Sequence, residues 1–167
     1  MSTSPASVVR TGTDADVAAC IDLWTSAVAA RDGVSASTAV RARAAEKFRT
    51  PRVALVLLPG SPDGAALDGF ALLTAPGTGR STDPADAAYL SLLAVRPDLQ
   101  ARGVGRALLT AAVAAATAAG HPAVALHVLV DNARAVRLYE ASGFGATDVA
   151  FPHALTGTPT RTYVHRG

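Results

Sequence analysis

The feature that most constrains this chain is a strand that leads, through a glycine-containing turn, into an alanine-rich helix. The segment covers residues 93–109 and reads LAVRPDLQARGVGRALL. Two glycines and two arginines stand where the helix begins, although glycine weakens a helix and arginine adds positive charge to its positive end. Local stability does not explain these residues, so we expect the turn to bind a ligand.

An anion is the ligand that such a turn suits. The first N–H groups of a helix have no partner inside the helix, and the helix dipole places about half a positive charge there. Gly103 and Gly105 lack the Cβ atoms that would keep a phosphate away from the main chain. Arg102 and Arg106 add positive charge beside them. The turn is therefore predicted to wrap a phosphate group.

Two common phosphate-binding motifs do not match this turn. A P-loop requires a lysine followed by serine or threonine after its second glycine, and the sequence has no such motif. A dinucleotide fingerprint requires a third glycine or an alanine where this chain has Leu108. It also requires an acidic residue about 20 positions further on in a parallel βαβ unit, and none is found. A different phosphate compound is therefore expected.

Hydrophobic periodicity and turn residues predict the element order β-α-α-β-β-β-α-β-α-β-β. The predicted strands cover residues 8–10, 53–58, 67–75, 87–95, 124–130, 145–151 and 160–165. The predicted helices run from the Thr13 cap to residue 30, over 36–49, over 103–119, and from the Asn132 cap to residue 141. This order is that of a mixed α+β domain around one central sheet, and residues 1–167 are expected to form a single domain.

Composition narrows the class of protein. Half of the residues are hydrophobic, which argues against disorder. The net charge of +2 is too small to imply a nucleic-acid partner, and the aromatic content of 5% is low for a protein that stacks bases. The helix predicted over 103–119 is too short and too weakly apolar to cross a membrane. Neither nucleic acid nor membrane is therefore an expected partner.

Cysteine and histidine usage bears on compartment and metal binding. The single cysteine, Cys20, cannot form an intramolecular disulfide, which favours a reducing, cytoplasmic setting. The N-terminal stretch MSTSPASVVR lacks the basic start and apolar run of a signal peptide. The four histidines are scattered, so no metal is expected.

Two segments carry a resemblance to a known family. Within residues 93–109, QARGVG matches the Gln/Arg-x-x-Gly-x-Gly/Ala core of an acyl-CoA-binding motif. Residues 126–144, LHVLVDNARAVRLYEASGF, match a second motif, with Asn132, Tyr139 and the Gly143-Phe144 pair in place. Both motifs occur in the family's order and at its spacing. The chain resembles the GNAT superfamily of N-acetyltransferases, strongly over residues 89–144 and only through element order before them.

The resemblance implies a fold, a reaction and a co-substrate. The fold is a mostly antiparallel central sheet of about six or seven strands, splayed between the fourth and the fifth, with about four helices. The reaction is direct attack of a primary amine on the thioester of acetyl-CoA. A small metabolite, an antibiotic, a polyamine or a protein could supply the amine. A non-catalytic acyl-CoA sensor is the alternative function, and a homodimer is expected only because folds of this kind often dimerise.

The resemblance also assigns donor-binding residues. Main-chain groups near three strand residues would pair with the pantetheine arm: Leu93, Ala94 and Val95. N–H groups of the turn would hold the pyrophosphate: Gln100, Ala101, Arg102, Gly103, Val104, Gly105 and Arg106. A strand N–H near the first three would hold the thioester oxygen.

Helix geometry relates the second motif to the same ligand. Asn132 and Tyr139 are separated by roughly 700° at about 100° per residue, so they share one face. Val136 lies on that face, whereas Arg134 and Arg137 point elsewhere. Both Asn132 and Tyr139 are expected to contact the donor, and Tyr139 is the candidate acid for the leaving thiolate. The alternative, in which Asn132 only caps the helix and Tyr139 only packs, stays open.

No strand residue matches the glutamate that serves many family members as a base. Strand alternation predicts that Tyr89, Ser91, Leu93 and Val95 share one face. Tyr89 and Ser91 occupy the places where such a glutamate would stand, but neither is a good base at neutral pH. Ser91 is therefore a catalytic candidate only as a residue that positions a water.

The adjacent predicted strand offers another catalytic candidate, His127. Histidine is the side chain that titrates near neutral pH. The alternative is a hydrogen-bonded core histidine, since His127 alternates with Leu126 and Val128. Asp131 is a further candidate base, with helix capping or solvation as its alternative.

A group of basic residues precedes and follows the end of the second predicted helix. We expect these to form a solvated face: Arg41, Arg43, Lys47, Arg49 and Arg52. The alternative is contact with an acidic acceptor or with the 3′-phosphate of the donor.

Overall fold

The computed structural model describes residues 8–33, 35–63, 65–154 and 156–167. Its helices are α1 (Val17–Asp32), α2 (Thr38–Arg49), α3 (Val104–Ala118) and α4 (Ala133–Ala141). Its strands are β1 (Arg10–Thr11), β2 (Arg52–Pro59), β3 (Leu67–Thr74), β4 (Ala87–Val95), β5 (Ala123–Leu129), β6 (Gly145–Pro152) and β7 (Pro159–Arg166). The predicted order is confirmed, with the first strand starting later than expected, at Arg10.

The strands form one seven-stranded sheet in the order β1-β2-β3-β4-β5-β7-β6. β4 and β5 are parallel, and the other neighbouring strands are antiparallel. The expected mixed, mostly antiparallel sheet with four helices is therefore confirmed. Within the described residues, no helix has both the length and the apolar character that a membrane crossing requires.

Helices cover both faces of the sheet and define two cores. The α1–α2 core packs Cys20, Ala44 and Phe48 against one face. The α3 core packs Leu108 and Leu109, among others, against the opposite face. The inner strands are continuously apolar because both of their faces are buried, as in β2, whose successive residues alternate between the two cores.

A glycine lets α3 approach the sheet closely. A Cβ atom on Gly69 of β3 would stand 2.6 Å from Cδ1 of Leu108 and 2.9 Å from the Ala94 carbonyl oxygen. The Ala94 oxygen belongs to the backbone of β4 and cannot move aside easily. Gly69 therefore fixes the start of α3 against the ends of β3 and β4.

The sheet opens between β4 and β5. Their pairing is confined to residues 87–89 of β4 and 123–125 of β5. Beyond this point β4 continues alongside β3, and β5 continues alongside β7. The result is the predicted splay, which we call the gap: the space between β4 after Tyr89 and β5 after Ala125.

β4 carries a bulge where this gap begins. Leu72 of β3 pairs with Leu92, whereas Leu73 pairs with Leu90, so Ser91 is an extra residue. A bulge of this kind shifts the faces of the residues that follow it. Leu90 accordingly packs in the α3 core, and Leu92 packs in the α1–α2 core.

The bulge overturns the prediction that Tyr89, Ser91, Leu93 and Val95 share one face. Leu93 and Val95 pack against the α3 core. Tyr89 lies on the opposite side, where the Lys47 ammonium stands 5.6 Å from its ring centre. Alternation failed because one inserted residue reverses the side on which every later residue lies.

Candidate active site

The turn before α3 presents a row of free main-chain donors. Ala101 and Gly103 have φ values of 65° and 83°, in the left-handed region. The first helical hydrogen bond of α3 runs from the Ala107 N–H to the Gly103 carbonyl oxygen, at 3.1 Å. Among the described residues, nothing accepts from the N–H groups of residues 100–106. Such a concave set of donors at a helix start is a site for an anion.

The two glycines of the turn serve different purposes. A Cβ atom on Gly103 would meet nothing within 4 Å, so only its positive φ requires glycine there. A Cβ atom on Gly105 would stand 2.9 Å from Cδ2 of Leu138 on α4. The absence of a Cβ atom at Gly105 therefore makes room for α4, and phosphate binding at both glycines stays a prediction.

Arginines surround the turn. Arg102 and Arg106 are exposed, as is Arg134 of α4. The Arg134 guanidinium donates to Oε1 of Gln100, which ties the beginning of α4 to the turn. In the part of the chain that the structure describes, no carboxylate forms an ion pair with any of these arginines. Their charge is available to a polyanion such as a diphosphate.

α4 presents the second motif to the same region. The Asn132 side-chain oxygen accepts from the Ala135 N–H at 3.2 Å, so Asn132 caps the helix, and its amide nitrogen stays available to a ligand. The predicted face agrees with the burial pattern, since Asn132, Val136 and Tyr139 are half-buried and Arg134 and Arg137 are exposed.

Tyr139 is held rigidly with an unpaired hydroxyl. Its ring meets that of Phe144 edge-on, at 5.9 Å between centres. None of the described residues forms a hydrogen bond with the hydroxyl. Burial, together with the nearby Tyr89 phenol, raises the pKa of Tyr139 to about 12. The group therefore stays protonated at neutral pH and can donate a hydrogen bond to a ligand.

On the face of the sheet opposite α3, three side chains form a series of hydrogen bonds where β4 and β5 part. The Tyr89 hydroxyl lies 3.2 Å from Nδ1 of His127, and Nε2 of His127 lies 2.8 Å from Oδ1 of Asp83. An ionised carboxylate only accepts, so Nε2 carries the proton and donates to Asp83, and Nδ1 accepts from Tyr89. The side chains of His127 and Asp83 are only 12% and 6% exposed. The result is a shielded Tyr–His–Asp relay.

The relay is held by its surroundings. The Arg80 N–H donates to Oδ2 of Asp83 at 2.8 Å. The Phe151 ring meets the His127 ring edge-on at 5.0 Å. Burial and the Asp83 carboxylate raise the pKa of Tyr89 to about 12. Tyr89 is therefore a neutral phenol that can pass a proton to His127.

Lys47 is a half-buried residue of α2, and its ammonium lies beside the Tyr89 ring of the relay. Burial, with the neighbouring Arg43 charge, lowers its pKa. The expectation of a solvated cationic face is wrong for Lys47. It is also wrong for Arg52, whose side chain is only 23% exposed and pairs with Asp14 at 3.1 Å. Arg41 is exposed, as predicted, and pairs with Asp22 at the surface at 2.6 Å.

The predicted site residues divide into two groups across the sheet. The turn residues, Asn132 and Tyr139 lie on the α3–α4 side, where Leu93 and Val95 pack, whereas Ala94 is buried in the α1–α2 core. His127 joins Tyr89 on the opposite side, Ser91 is at the bulge, and Asp131 is exposed. Asp83 and the burial of Lys47 had no signal in the sequence, since only folding brings them to His127 and Tyr89.

Known proteins share this sequence pattern and this fold. The sequence model described as the Acetyltransferase (GNAT) family matches residues 38–144. The chain belongs to the GNAT acetyltransferase family. The predicted family is thereby confirmed, and its description as an acetyltransferase family agrees with the predicted enzyme class. Among the described residues of this GNAT domain, no group of histidine, cysteine or acidic side chains is arranged to hold a metal ion.

A curated protein is similar in sequence to most of this chain. The mycothiol acetyltransferase of Beutenbergia cavernae is 36% identical over 150 residues, which are 89% of this chain and 46% of that protein. This chain therefore spans about half the length of that relative.

The solved structures share the fold. The ribosomal-protein-S18-alanine N-acetyltransferase of Escherichia coli has a TM-score of 0.70 and 21% identity, over 95% of this chain and 92% of that one. The yncA protein of Salmonella typhimurium, solved with its cofactor acetyl-CoA, has a TM-score of 0.70 and 20% identity, over 97% of this chain and 94% of that one.

Proposed function

We propose that this GNAT domain transfers the acetyl group of acetyl-CoA to a primary amine of a small molecule, in the cytoplasm. The observation that carries the proposal is the position of the free N–H groups of residues 100–106 at the end of β4, beside the gap in the sheet. The acetyl-CoA in the Salmonella structure and the name of the Beutenbergia relative support the donor and the small acceptor. The lone, buried Cys20 suits a reducing compartment.

The donor enters from the α3–α4 side. The N–H groups of residues 100–106 and the exposed Arg102 and Arg106 hold its diphosphate. Beyond Tyr89, the edge of β4 that faces β5 has no partner strand among the residues that the structure describes. Its N–H and C=O groups near Leu93, Ala94 and Val95 pair with the amides of the pantetheine arm and direct the thioester into the gap.

The acceptor enters from the α1–α2 side and loses its proton to the relay. An alkylamine with a pKa of about 10.4 is about 99.9% protonated at pH 7, so the enzyme must take up a proton before or during attack. As the C–N bond forms and the C–S bond breaks, a second proton passes from the nitrogen to the departing sulfur. The first proton has left before attack: the ammonium gives it to the Tyr89 oxygen while Tyr89 gives its own to Nδ1 of His127. Asp83 stabilises the resulting imidazolium. The two transfers are concerted because a free phenolate with a pKa of about 12 does not accumulate at pH 7.

Tyr139 stabilises the leaving sulfur. A thiolate with a pKa of about 8.5 does not take the proton fully from a phenol with a pKa of about 12. Tyr139 therefore acts by donating a hydrogen bond to the sulfur as its charge develops, and a main-chain N–H of β4 near Leu93 does the same for the thioester oxygen. Ser91 positions a water at the bulge.

A thiol-release assay with acetyl-CoA and a panel of small primary amines tests this function. We expect turnover of at least one amine by the native chain and a fall in kcat of roughly 10- to 100-fold for Tyr139→Phe, with little change in coenzyme A affinity measured by calorimetry. Tyr163→Phe is the matched control, since the Tyr163 hydroxyl donates to Oε1 of Glu140 at 3.3 Å. Tight coenzyme A binding without turnover of any amine would instead make the chain an acyl-CoA sensor.

A further inference from the structure

We propose that the acceptor is a primary amine that also carries an anionic group, a carboxylate or a phosphonate, which Lys47 binds together with Arg43 and Arg80. This inference rests on the proposed acetyl transfer and names the acceptor class for it. The proposed anion site lies on the α1–α2 side of the gap. The turn of residues 100–106, which is proposed to hold the diphosphate, lies on the other side.

A series of ring contacts connects Lys47 to Arg80, and Arg43 lies one helical turn before Lys47 on α2. The Lys47 ammonium stands 5.6 Å from the Tyr89 ring centre, and that ring lies 4.9 Å from the His127 ring. His127 contacts Phe151, and the Arg80 guanidinium lies 3.8 Å above the Phe151 ring. Cations from α2 and from the loop before β4 therefore flank the relay that removes the amine proton.

The charge of Lys47 is uncompensated within the described residues. Neither Lys47, Arg43 nor Arg80 forms an ion pair there. Asp83, the carboxylate of the relay, is 6% exposed and accepts from His127 and from the Arg80 N–H. A half-buried ammonium without a counter-charge is costly, and an arriving anion removes that cost.

The anion belongs to the acceptor because the donor has its own cations. Arg102 and Arg106 stand at the diphosphate turn, on the α3–α4 side of the sheet. Lys47 stands over Tyr89, on the α1–α2 side. An acceptor whose amine reaches the Tyr89 hydroxyl can therefore place a second group against Lys47. A short spacer suffices, since both contacts involve one tyrosine.

The experiment compares acidic amines with their neutral amides. Thiol release is measured with β-alanine, 4-aminobutyrate and 2-aminoethylphosphonate, and with β-alaninamide and 4-aminobutanamide. We expect kcat/KM to be on the order of tenfold or more higher for the acids in the native chain. Lys47→Met should lower the acid-to-amide ratio towards one, and Lys47→Arg should restore most of it. Arg49→Met removes the same charge from an exposed position on the same helix and should leave the ratio at its native value.

A binding measurement separates this inference from the proposed function. The N-acetylated acids, which cannot react, are titrated by calorimetry into each variant saturated with coenzyme A. Binding that Lys47→Met abolishes and Arg49→Met preserves supports the anion site even if no amine is turned over. Turnover of acids and amides with equal kcat/KM, unchanged by Lys47→Met, overturns the anion site and leaves the acetyl transfer standing. Absence of both turnover and product binding overturns both.

Discussion

The Tyr89 hydroxyl lies 3.2 Å from Nδ1 of His127, and this contact bridges β4 and β5 where the two strands part. Tyr89 belongs to the paired part of β4, and His127 lies two residues beyond the paired part of β5. The contact therefore stands at the closed end of the gap. On the other side of the sheet, burial raises the pKa of the Tyr139 phenol, and the nearby Tyr89 phenol contributes to that rise.

Breaking the relay should slow the reaction of protonated amines. We expect His127→Ala and Tyr89→Phe each to lower kcat/KM by about 10²- to 10⁴-fold, because both interrupt the same proton path. The double variant should be little worse than either single one, since groups that act as a unit are non-additive. Steady-state kinetics at pH 7 measures these values.

An amine that is already neutral provides the control for the relay. Amines of low basicity need no proton removed before attack, so the loss in His127→Ala should shrink for them and stay large for alkylamines. A loss of equal size for both kinds of amine would mean that His127 only supports the fold.

The two glycines of the turn should respond differently to alanine. Gly103→Ala forces a side chain into a left-handed conformation, at a cost of about 1–2 kcal/mol, and redirects the N–H groups of the turn. We expect it to weaken coenzyme A binding at least about tenfold. Gly105→Ala meets only the flexible end of Leu138, so its main effect should be a smaller loss of stability. Calorimetry and denaturant unfolding separate the two effects, and equal losses of coenzyme A affinity would contradict the assignment.

Alkaline pH should destabilise the protein through its buried phenols. The pKa values of Tyr89 and Tyr139 are both raised to about 12, from about 10 in the unfolded chain. The folded state therefore holds these protons more tightly, so the free energy of unfolding is unaffected below about pH 10 and falls between about pH 10 and 12. In Tyr163→Phe, which leaves Tyr89 and Tyr139 as the tyrosines, tyrosinate absorbance should rise only as the protein unfolds in that range. A rise near pH 10 with the fold intact would contradict the burial of these rings.

A side chain at Gly69 should lower the free energy of unfolding. Gly69→Ala places a Cβ atom 2.9 Å from the Ala94 carbonyl oxygen and 2.6 Å from Leu108, so α3 must shift. We expect a loss of about 1–3 kcal/mol in the free energy of unfolding, measured with denaturant. Gly145→Ala is the control, because a Cβ atom there meets nothing within 4 Å. Comparable stability of the two variants would show that α3 does not pack as closely as described.

Short-range patterns were enough to predict the turn and α4. The N–H groups of residues 100–106, the Asn132 cap and the face shared with Tyr139 depend on residues that are neighbours in the chain. Predictions that depended on regular alternation failed where the strand was irregular. One extra residue at Ser91 moved Tyr89 to the side opposite Leu93. No spacing in the sequence marks that residue, because a bulge is decided by how β3 and β4 pair.

The order of helices and strands, the family and the donor turn follow from the order of residues alone, since helix periodicity, glycine conformation and free N–H groups at a helix start are local properties. The relay is different. Asp83 stands 44 positions before His127, and Tyr89 stands 38 positions before it. Hydrogen bonds between such residues need β4 and β5 to be paired, and the packing of α2 brings Lys47 against Tyr89. The arrangement on the proposed acceptor side was therefore decided by tertiary packing, which brings distant side chains within bonding distance and shields them from water.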